Sequence, residues 1–370
     1  MRLWIDGQIF ERQGHGGVSR VWLTYLPALA ERGLEIQVTV SKRTASSAFR
    51  DLARRDLFET RWTDHRVRPI SVYDAQWLRT RRLRSLAPDI SGGVFQSTWD
   101  STPGLAGWAE VMMVHDMIPE LTLRPGRNLF DAQVIRARRR AIANATVLVA
   151  VSETTARDLR STYPEAAKKV RMVPHWPSLD SVAPAALDPL LARFPSSFTP
   201  DDFYLFVGRR DGYKNFGVLR RALDESPALA RHGVIAVGGP PPSTEEQHPA
   251  ISFIPHVTDA ELVALYRSAR ALVYPSRYEG FGLPLLEALS NGCRVVAART
   301  DALLEVGGDA AVYFDPASPD QLISALEQVS ERDEHEERER ARGNLARYSL
   351  HRSADQLAEI YRSLAPTQVS

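Results

Sequence analysis

Short apolar segments alternate with helical segments along most of the chain, and this alternation constrains the fold more than any other feature. In the first half, the segments with strand-like composition are 3–5, 34–40, 93–99, 110–116 and 145–152. In the second half they are 203–208, 233–239, 251–257, 270–276, 293–298 and 310–315. Strands separated by helices form parallel sheets with right-handed crossovers. The pattern therefore predicts an α/β protein made of two doubly wound halves.

A proline-rich passage separates the two halves. We place a linker at 179–200, between an N-terminal domain at 1–178 and a C-terminal domain at 201–349. The length of 370 residues favours the same division, because single hydrophobic cores rarely grow beyond about 250–300 residues. Ligands of doubly wound folds bind at the carboxyl ends of the strands. The expected ligand site is therefore the cleft between the two domains.

Composition excludes several classes of protein. The chain has 46 basic and 45 acidic residues, so its field does not favour nucleic acid as a partner. A single cysteine, Cys293, cannot form an internal disulfide and fits a reducing cytoplasm. There is no signal-sequence pattern, and no apolar run approaches the roughly 20 residues of a membrane span. We therefore expect a cytoplasmic protein.

The first predicted strand is followed by a glycine-rich segment, QGHGGVSR. Gly14 and Gly16 match a dinucleotide-binding pattern, but Ser19 stands at its third glycine position and the second strand ends without an acidic residue. A nicotinamide site is therefore disfavoured. Gly16 and Gly17 precede a predicted helix, whose free N–H groups suit an anion or sugar hydroxyls. An ordinary strand–helix loop is the alternative.

The second glycine-rich turn carries a cluster of cations. Gly208 ends a predicted strand, and Arg209, Arg210 and Lys214 follow before a helix. Cations at the start of a helix oppose its dipole, so local stability does not explain them. An anionic ligand does, since arginine binds a diphosphate through two hydrogen bonds and lysine adds a point charge. A solvated basic loop is the alternative.

The third turn, EGFGLPLLE, begins at Glu279 and ends at Glu287. Gly280 and Gly282 allow the backbone to approach a ligand closely, and the following helix start offers free amides. Glu287, one turn into the helix, is placed to accept hydrogen bonds from a ribose diol. Two carboxylates this near raise each other's pKa, which is typical of functional sites. Compensation of the helix dipole by Glu287 is the alternative.

Glu279 and Glu287, with seven residues between them inside EGFGLPLLEAL, resemble the signature of the retaining glycosyltransferases of family 4. The similarity covers most of the chain, through GGVSR (16–20), VHDMIPE (114–120), VSETTARDL (151–159), GRRDGYKN (208–215) and EVGGDAAVYFDP (305–316). Bacterial transferases of surface-polysaccharide assembly, many of them mannosyltransferases, look most similar. The resemblance implies the GT-B fold, with two Rossmann-like domains facing across a central cleft. It also implies that a C-terminal helix at about 350–370 packs on the first domain.

The resemblance implies a role for each matching residue. Arg209 and Lys214 would neutralise the donor diphosphate, and Glu279 would hold the transferred sugar. His115 would contact that sugar, and Asp116 would lie near the acceptor. The residues implied in catalysis are thus His115, Asp116, Arg209, Lys214 and Glu279. Those implied in donor binding are Gly16, Gly17, Gly208, Arg209, Lys214, Glu279, Gly280, Phe281, Gly282, Leu283 and Glu287. Whether Arg209 or Arg210 binds the phosphate stays open.

The chemistry expected of such an enzyme is stabilisation of charge on a departing diphosphate, which fixed cations and helix amides provide. The sequence has no Asp-x-Asp motif and no cysteine–histidine spacing typical of a metal site, so we expect no metal or other cofactor. The resemblance implies retention by front-face attack, GDP-mannose as the first candidate donor, and a glycan or lipid-linked acceptor. A nucleotide-sugar epimerase of the same architecture and a non-catalytic GT-B partner protein are the alternatives.

Two basic helical stretches, 79–86 and 136–143, are open to two interpretations. Such clusters can hold a protein on an anionic membrane surface, near a lipid-linked acceptor. For each stretch taken alone, a solvated helix face is the favoured interpretation. The sequence therefore predicts at most a peripheral contact with the inner face of the membrane.

Overall fold

The computed structural model describes residues 1–13, 16–64, 83–85, 87, 92–123, 129–194, 199, 202–210 and 212–365. The chain divides into two compact units. Unit 1 comprises Met1–His175 and Leu350–Ser370, and unit 2 comprises Trp176–Ser349. The first segment of unit 1 thus ends at His175, whereas the sequence analysis placed the end of the N-terminal domain at 178. The predicted linker lies within unit 2.

Unit 1 is built on a parallel sheet of seven strands in the part of it that is described. In chain order the strands are β1 (Arg2–Asp6), β2 (Glu35–Ser41), β3 (Glu59–Thr63), β4 (Gly93–Ser97), β5 (Trp108–Val114), β6 (Val147–Ala150) and β7 (Val170–Met172). Their order in space is β3-β2-β1-β4-β5-β6-β7. The helices up to the break in this unit are α1 (Gln8–Arg12), α2 (Gly17–Ala30), α3 (Ser47–Ala53), α4 (Ile118–Thr122), α5 (Leu129–Asn144) and α6 (Glu153–Thr162), and a 3-10 helix spans Pro164–Lys169.

Unit 2 is built on a six-stranded parallel sheet. Its strands are β8 (Tyr204–Val207), β9 (Val234–Val237), β10 (Ile251–Ile254), β11 (Ala271–Tyr274), β12 (Val295–Ala298) and β13 (Val312–Phe314), in the spatial order β10-β9-β8-β11-β12-β13. Its helices are α7 (Leu187–Leu191), α8 (Phe216–Glu225), α9 (Pro227–His232), α10 (Asp259–Ser268), α11 (Leu283–Ser290), α12 (Asp301–Gly307), α13 (Pro319–Glu331) and α14 (Glu334–Leu345). Two 3-10 turns are Gly212–Lys214 and Gly308–Ala310.

Both sheets are doubly wound, which confirms the predicted fold class. The central strands β11 and β12 are buried along their whole length, as expected of parallel strands covered on both faces. In unit 2 the winding reverses between β8 and β11, and in unit 1 between β1 and β4. Loops that leave the carboxyl ends of strands at such a reversal form the ligand crevice of open α/β sheets. The glycine-rich turns after β1, β8 and β11 therefore lie at the expected positions.

The last helix, α15 (Leu350–Leu364), returns to unit 1. Leu357, Ala358 and Tyr361 on its inner face are fully buried. The Tyr361 hydroxyl donates to Gln96 Oε1 at 2.7 Å, at the heart of the sheet. These contacts make α15 part of the core of unit 1.

Two strands were missed by the sequence analysis, and both lie at the edges of the unit 1 sheet. Strand β3 has the polar sequence ETRWT and is mostly half-exposed. Strand β7 has three residues, of which Arg171 and Met172 are exposed. Edge strands bury less apolar surface, so they lack the continuous apolar run that identified the others. In the described part of the chain, no helix is long and apolar enough to span a bilayer.

Candidate functional site

Two of the predicted loops meet at the carboxyl edge of the unit 2 sheet. Lys214 Nζ, in the loop after β8, lies 2.7 Å from Glu279 Oε1, in the loop after β11. Only 13% of the lysine side chain and 10% of the glutamate side chain are exposed. The backbone joins the same loops, since Arg277 N donates to Tyr213 O at 2.8 Å. An ion pair shielded in this way depends on both partners, because removing one leaves a buried charge uncompensated.

Two aromatic rings surround the lysine ammonium. Lys214 Nζ lies 5.3 Å from the ring centres of Tyr213 and Tyr274, within the range of cation–π attraction. Tyr274 is the buried last residue of β11, and its hydroxyl is hydrogen-bonded to Glu279. Burial and the neighbouring carboxylate raise the pKa of Tyr274 well above its usual value, so the hydroxyl stays protonated and donates. The sequence analysis missed Tyr274, although its place directly before a glycine-rich loop was a usable signal.

Backbone conformation shapes the turn that carries Lys214. Gly208 has φ +134°, and a Cβ at this position would lie 3.8 Å from Lys214 Cε. Asn215 is left-handed with φ +55°, a conformation that asparagine tolerates better than most residues. Its Nδ2 donates to Pro275 O at 3.0 Å and to Pro316 O at 2.8 Å. Asn215 thus ties the Lys214 turn to the loop after β11.

The structure separates the two neighbouring arginines. Arg209 is exposed, whereas Arg210 is 5% exposed. Arg210 donates to the carbonyls of Gly238 and Pro240, lies 3.3 Å from Glu246 through Nε, and packs over a phenylalanine ring. Arg210 therefore holds the loop after β9, and Arg209 is the exposed member of the two.

We expect Arg210→Ala to lower the free energy of unfolding by about 3 kcal/mol, because it leaves the carbonyls of Gly238 and Pro240 and the Glu246 carboxylate without their buried cation. Arg209→Ala should change it by less than about 0.5 kcal/mol, as is usual for exposed residues. Urea unfolding of the two variants measures the difference. Equal destabilisation by both changes would contradict the division of roles.

The loop from Glu279 to Leu283 turns directly into helix α11. Gly282 precedes the helix with φ +108°, and a Cβ there would lie 2.9 Å from Leu303 Cδ2, so only glycine fits. The Phe281 ring packs edge-on against Tyr348 with centroids 5.6 Å apart. Phe281 therefore serves packing with its side chain, and only its backbone is left for a ligand. Gly280 and Leu283, in the same loop, are also buried.

Glu287 is held by hydroxyl groups within unit 2. It is 2% exposed, and its Oε1 accepts from Ser178 Oγ at 2.7 Å. The Tyr266 hydroxyl lies 3.3 Å from its Oε2. Each carboxylate oxygen can accept a second hydrogen bond, so contact with a ribose stays a prediction. Glu279 is thus bound to a cation and to the Tyr274 hydroxyl, whereas Glu287 contacts the hydroxyls of Ser178 and Tyr266.

His115 and Asp116 lie directly after β5, at the carboxyl edge of the unit 1 sheet. Asp116 Oδ1 accepts from N of Ile118, the first residue of α4, at 2.9 Å. The Asp116 carbonyl accepts from Arg138, whose guanidinium lies 2.7 Å from both Asp100 and Glu120. Arg138 is 5% exposed, so for this residue of the basic stretch 136–143 the surface interpretation is wrong. Most of the stretch 79–86 lies outside the described residues.

His115 pairs with a histidine that the sequence analysis gave no role. Its Nδ1 lies 3.3 Å from Nε2 of His175, and the two rings are stacked with centroids 5.4 Å apart. Burial, with the Arg138 guanidinium nearby, lowers the pKa of His115 to about 3. Burial beside His115 also holds the pKa of His175 well below its usual range. Both rings are therefore neutral at pH 7.

Gly16 and Gly17 form the start of helix α2, also in unit 1. Gly16 has extended backbone, and a Cβ on it would lie 2.6 Å from the Gln13 side-chain oxygen. Ser19 Oγ donates to Gly16 O at 2.9 Å, which closes the first turn. Gly14, the first glycine of the dinucleotide-like pattern, lies outside the described residues.

The predicted site residues thus divide between the two units. The unit 1 group is Gly16, Gly17, His115 and Asp116, and the unit 2 group is Gly208, Arg209, Lys214, Glu279, Gly280, Phe281, Gly282, Leu283 and Glu287. In unit 2, an exposed arginine, a shielded lysine and a helix start are suited to bind an anion. Among the described residues, no three histidine, cysteine or carboxylate side chains form a group able to hold a metal ion.

Two protein-family models match the chain. The model "Glycosyltransferase Family 4" matches residues 15–180, and "Glycosyl transferases group 1" matches residues 192–346. A curated relative, "O-antigen chain mannosyltransferase B" of Escherichia coli, is 44% identical over 93 residues, which are 25% of this chain and 24% of the relative. A "D-inositol 3-phosphate glycosyltransferase" of Salinispora arenicola is 33% identical over 214 residues, or 50% of this chain and 48% of the relative. The chain thus spans half or less of the length of these two relatives.

Similarity to solved structures extends over both units. The sucrose-phosphate synthase from Thermosynechococcus elongatus superposes with a TM-score of 0.76, covering 98% of this chain and 99% of that one. Sequence identity is 16%, so this likeness concerns the fold alone.

Proposed function

Because the chain belongs to the family 4 type of glycosyltransferases, which have the GT-B fold, we propose that it transfers a sugar from a nucleotide-sugar donor to a hydroxyl of a carbohydrate acceptor. The proposed donor is GDP-mannose, and the proposed acceptor is a glycan or lipid-linked saccharide of surface-polysaccharide assembly. The similarity to an O-antigen chain mannosyltransferase supports mannose. The similarity to a D-inositol 3-phosphate glycosyltransferase makes an inositol phosphate the second acceptor to test.

The observation that carries this proposal is the Lys214–Glu279 pair, with exposed Arg209 in the same loop as Lys214. A diphosphate placed at this edge would accept from the guanidinium of Arg209 and from the ammonium of Lys214. Glu279 would then be released from the lysine and would accept hydrogen bonds from hydroxyls of the transferred sugar. The two residues of the ion pair would thus provide a cation for the leaving group and a hydrogen-bond acceptor for the sugar.

The proposed reaction cleaves the bond between the anomeric carbon and the diphosphate oxygen. Negative charge grows on the departing oxygen, and fixed cations with the amides of the Gly280–Leu283 turn stabilise it. The acceptor hydroxyl attacks from the face that the diphosphate leaves, with retention, and its proton passes to the departing phosphate oxygen. We propose that Lys214 and Arg209 supply the charge stabilisation without a metal ion.

The proposed place of the reaction is the cytoplasm, next to the inner membrane face when the acceptor is lipid-linked. Arg136, Arg139 and Arg140 are exposed on α5 and are the candidate contacts with anionic lipid. The glycine turn at Gly16 and Gly17, with His115 and Asp116, would serve the sugar and the acceptor from unit 1.

We expect one nucleotide to stabilise the protein selectively in a thermal-shift panel of GDP, UDP, dTDP and ADP, with GDP giving the largest shift. A ligand at 100 times its Kd adds about 2.7 kcal/mol of stability, which raises Tm measurably. EDTA should leave the shift unchanged. A shift abolished by EDTA would contradict metal independence, and no shift with any nucleotide would favour a non-catalytic partner protein.

The reaction itself is tested by supplying the stabilising nucleotide's sugar with a mannoside or an inositol phosphate as acceptor. Release of nucleotide that requires an acceptor supports transfer, and proton NMR of the anomeric position of the product reports retention or inversion. Conversion of the nucleotide sugar without any acceptor would instead identify an epimerase.

A further inference from the structure

The paired histidines occupy one edge of the unit 1 sheet. His115 follows β5 and His175 lies beyond β7, so strand β6 separates the two strands that carry them. Nδ1 of His115 and Nε2 of His175 are 3.3 Å apart, which leaves Nε2 as the other hydrogen-bonding atom of the His115 ring. That Nε2 is shielded from solvent and has no hydrogen-bond partner among the described residues. Buried polar atoms are almost always hydrogen-bonded, so this ring nitrogen is available to a ligand hydroxyl or a water molecule.

The contact between the rings bears on their protonation as well as on their orientation. A neutral imidazole carries one N–H, and the nitrogen that carries it is set by the partner of the other nitrogen. If His115 Nδ1 donates to His175, Nε2 of His115 is an acceptor. If His175 donates instead, Nε2 of His115 carries the proton and is a donor. The hydrogen bond therefore couples the tautomers of the two rings, since the proton placed between them determines what His115 Nε2 can offer.

We propose that His175 is a positioning residue that holds His115 in one tautomer and one orientation, with Nε2 directed at a hydroxyl of the transferred sugar. The contact of His115 with the sugar rests on the proposed function, whereas the pairing stands on geometry alone. His175 does not touch the reacting atoms.

The backbone next to His175 is fixed from the C-terminal helix. Ser353 of α15, 1% exposed, donates from Oγ to Pro174 O at 2.7 Å. On the other side, Arg138 holds the Asp116 carbonyl and so the strand end that carries His115. Both ends of the pair are thus anchored to buried groups of the same unit. Such rigidity is needed where an orienting residue acts through another side chain.

We expect His175→Leu, which keeps bulk but removes the ring nitrogens, to lower kcat for transfer at least about tenfold, equal to about 1.4 kcal/mol. The Kd of the nucleoside diphosphate should stay unchanged, because His175 belongs to unit 1. His175→Gln places an amide near the position of Nε2 and should restore kcat to within about threefold of wild type. His335→Gln, at an exposed position on α14, is the matched control and should behave as wild type.

Nitrogen-15 NMR of the histidine rings in the full-length, ligand-free protein tests the pairing without any activity. Wild type should show a single neutral tautomer for His115, and His175→Leu should show a mixture. If His175→Leu keeps both kcat and the single tautomer, the proposal is overturned. It is also overturned if the leucine variant loses only thermal stability. Failure of wild type to transfer sugar, with the single tautomer still observed, would count against the proposed function and not against the pairing.

Discussion

Replacement of Lys214 by alanine should lower the rate of sugar transfer by about a hundred- to a thousandfold, the loss typical when one preorganised charge-stabilising group is removed. The ammonium lies within the unit 2 crevice, 2.7 Å from Glu279 and between two tyrosine rings. Water that fills the gap is a poor substitute, because it must reorient as charge develops on the diphosphate. Steady-state kinetics with the donor identified by thermal shift measure the loss.

Two further variants show whether the loss belongs to this ammonium. Lys168→Ala removes the same side chain from an exposed position in unit 1 and should keep wild-type kinetics. Lys214→Arg keeps the charge but changes its shape, and should fall between wild type and alanine. Turnover of Lys214→Ala within about threefold of Lys168→Ala would remove Lys214 from the site.

Replacement of Glu279 by glutamine should have opposite effects on transfer and on nucleotide binding. Transfer should fall about a hundredfold, because a neutral amide no longer attracts the positive charge that grows on the sugar ring. The nucleoside diphosphate should bind about fivefold more tightly, because the carboxylate that occupies Lys214 and repels phosphate is gone. Calorimetry for binding and initial rates for transfer give the two numbers.

Glu327→Gln is the matched control for this charge change, since Glu327 is exposed on α13. It should leave both binding and rate unchanged. Weaker binding of the diphosphate by Glu279→Gln would mean that the carboxylate supports the phosphate site instead of competing for Lys214. Such a result would sink the proposed exchange of partners on donor binding.

The fold was predictable because parallel strands covered on both faces must be continuously apolar. The segments LWI, VLVA and VVAA show this directly, and each lies in a buried strand. The sequence predicted only that the loops carrying Lys214 and Glu279 lie near each other, because both loops follow strands at the same edge of one sheet. It did not predict the contact between the two side chains. Edge strands β3 and β7 escaped prediction, because exposed and short strands do not display the apolar pattern.

The sequence did not predict the roles of residues that act through side-chain partners. Arg209 and Arg210 are equivalent in a charge pattern, and the contacts of Arg210 with the carbonyls of Gly238 and Pro240 and with Glu246 distinguish them. Arg138 sits in a run of arginines whose other members are exposed, so its buried ion pairs with Asp100 and Glu120 were hidden by its neighbours. Contacts of this kind join elements far apart in the chain, and the periodicity of apolar residues does not predict them.

The return of α15 to unit 1 has a consequence for the order in which the chain can be completed during synthesis. All residues of unit 2, Trp176–Ser349, are contiguous and are synthesised before α15. Unit 1 starts first, yet the site beside Gln96 stays uncovered until Tyr361 arrives. The unit that begins the chain is therefore the last to close, and its histidine pair acquires the Ser353 anchor only at that final stage.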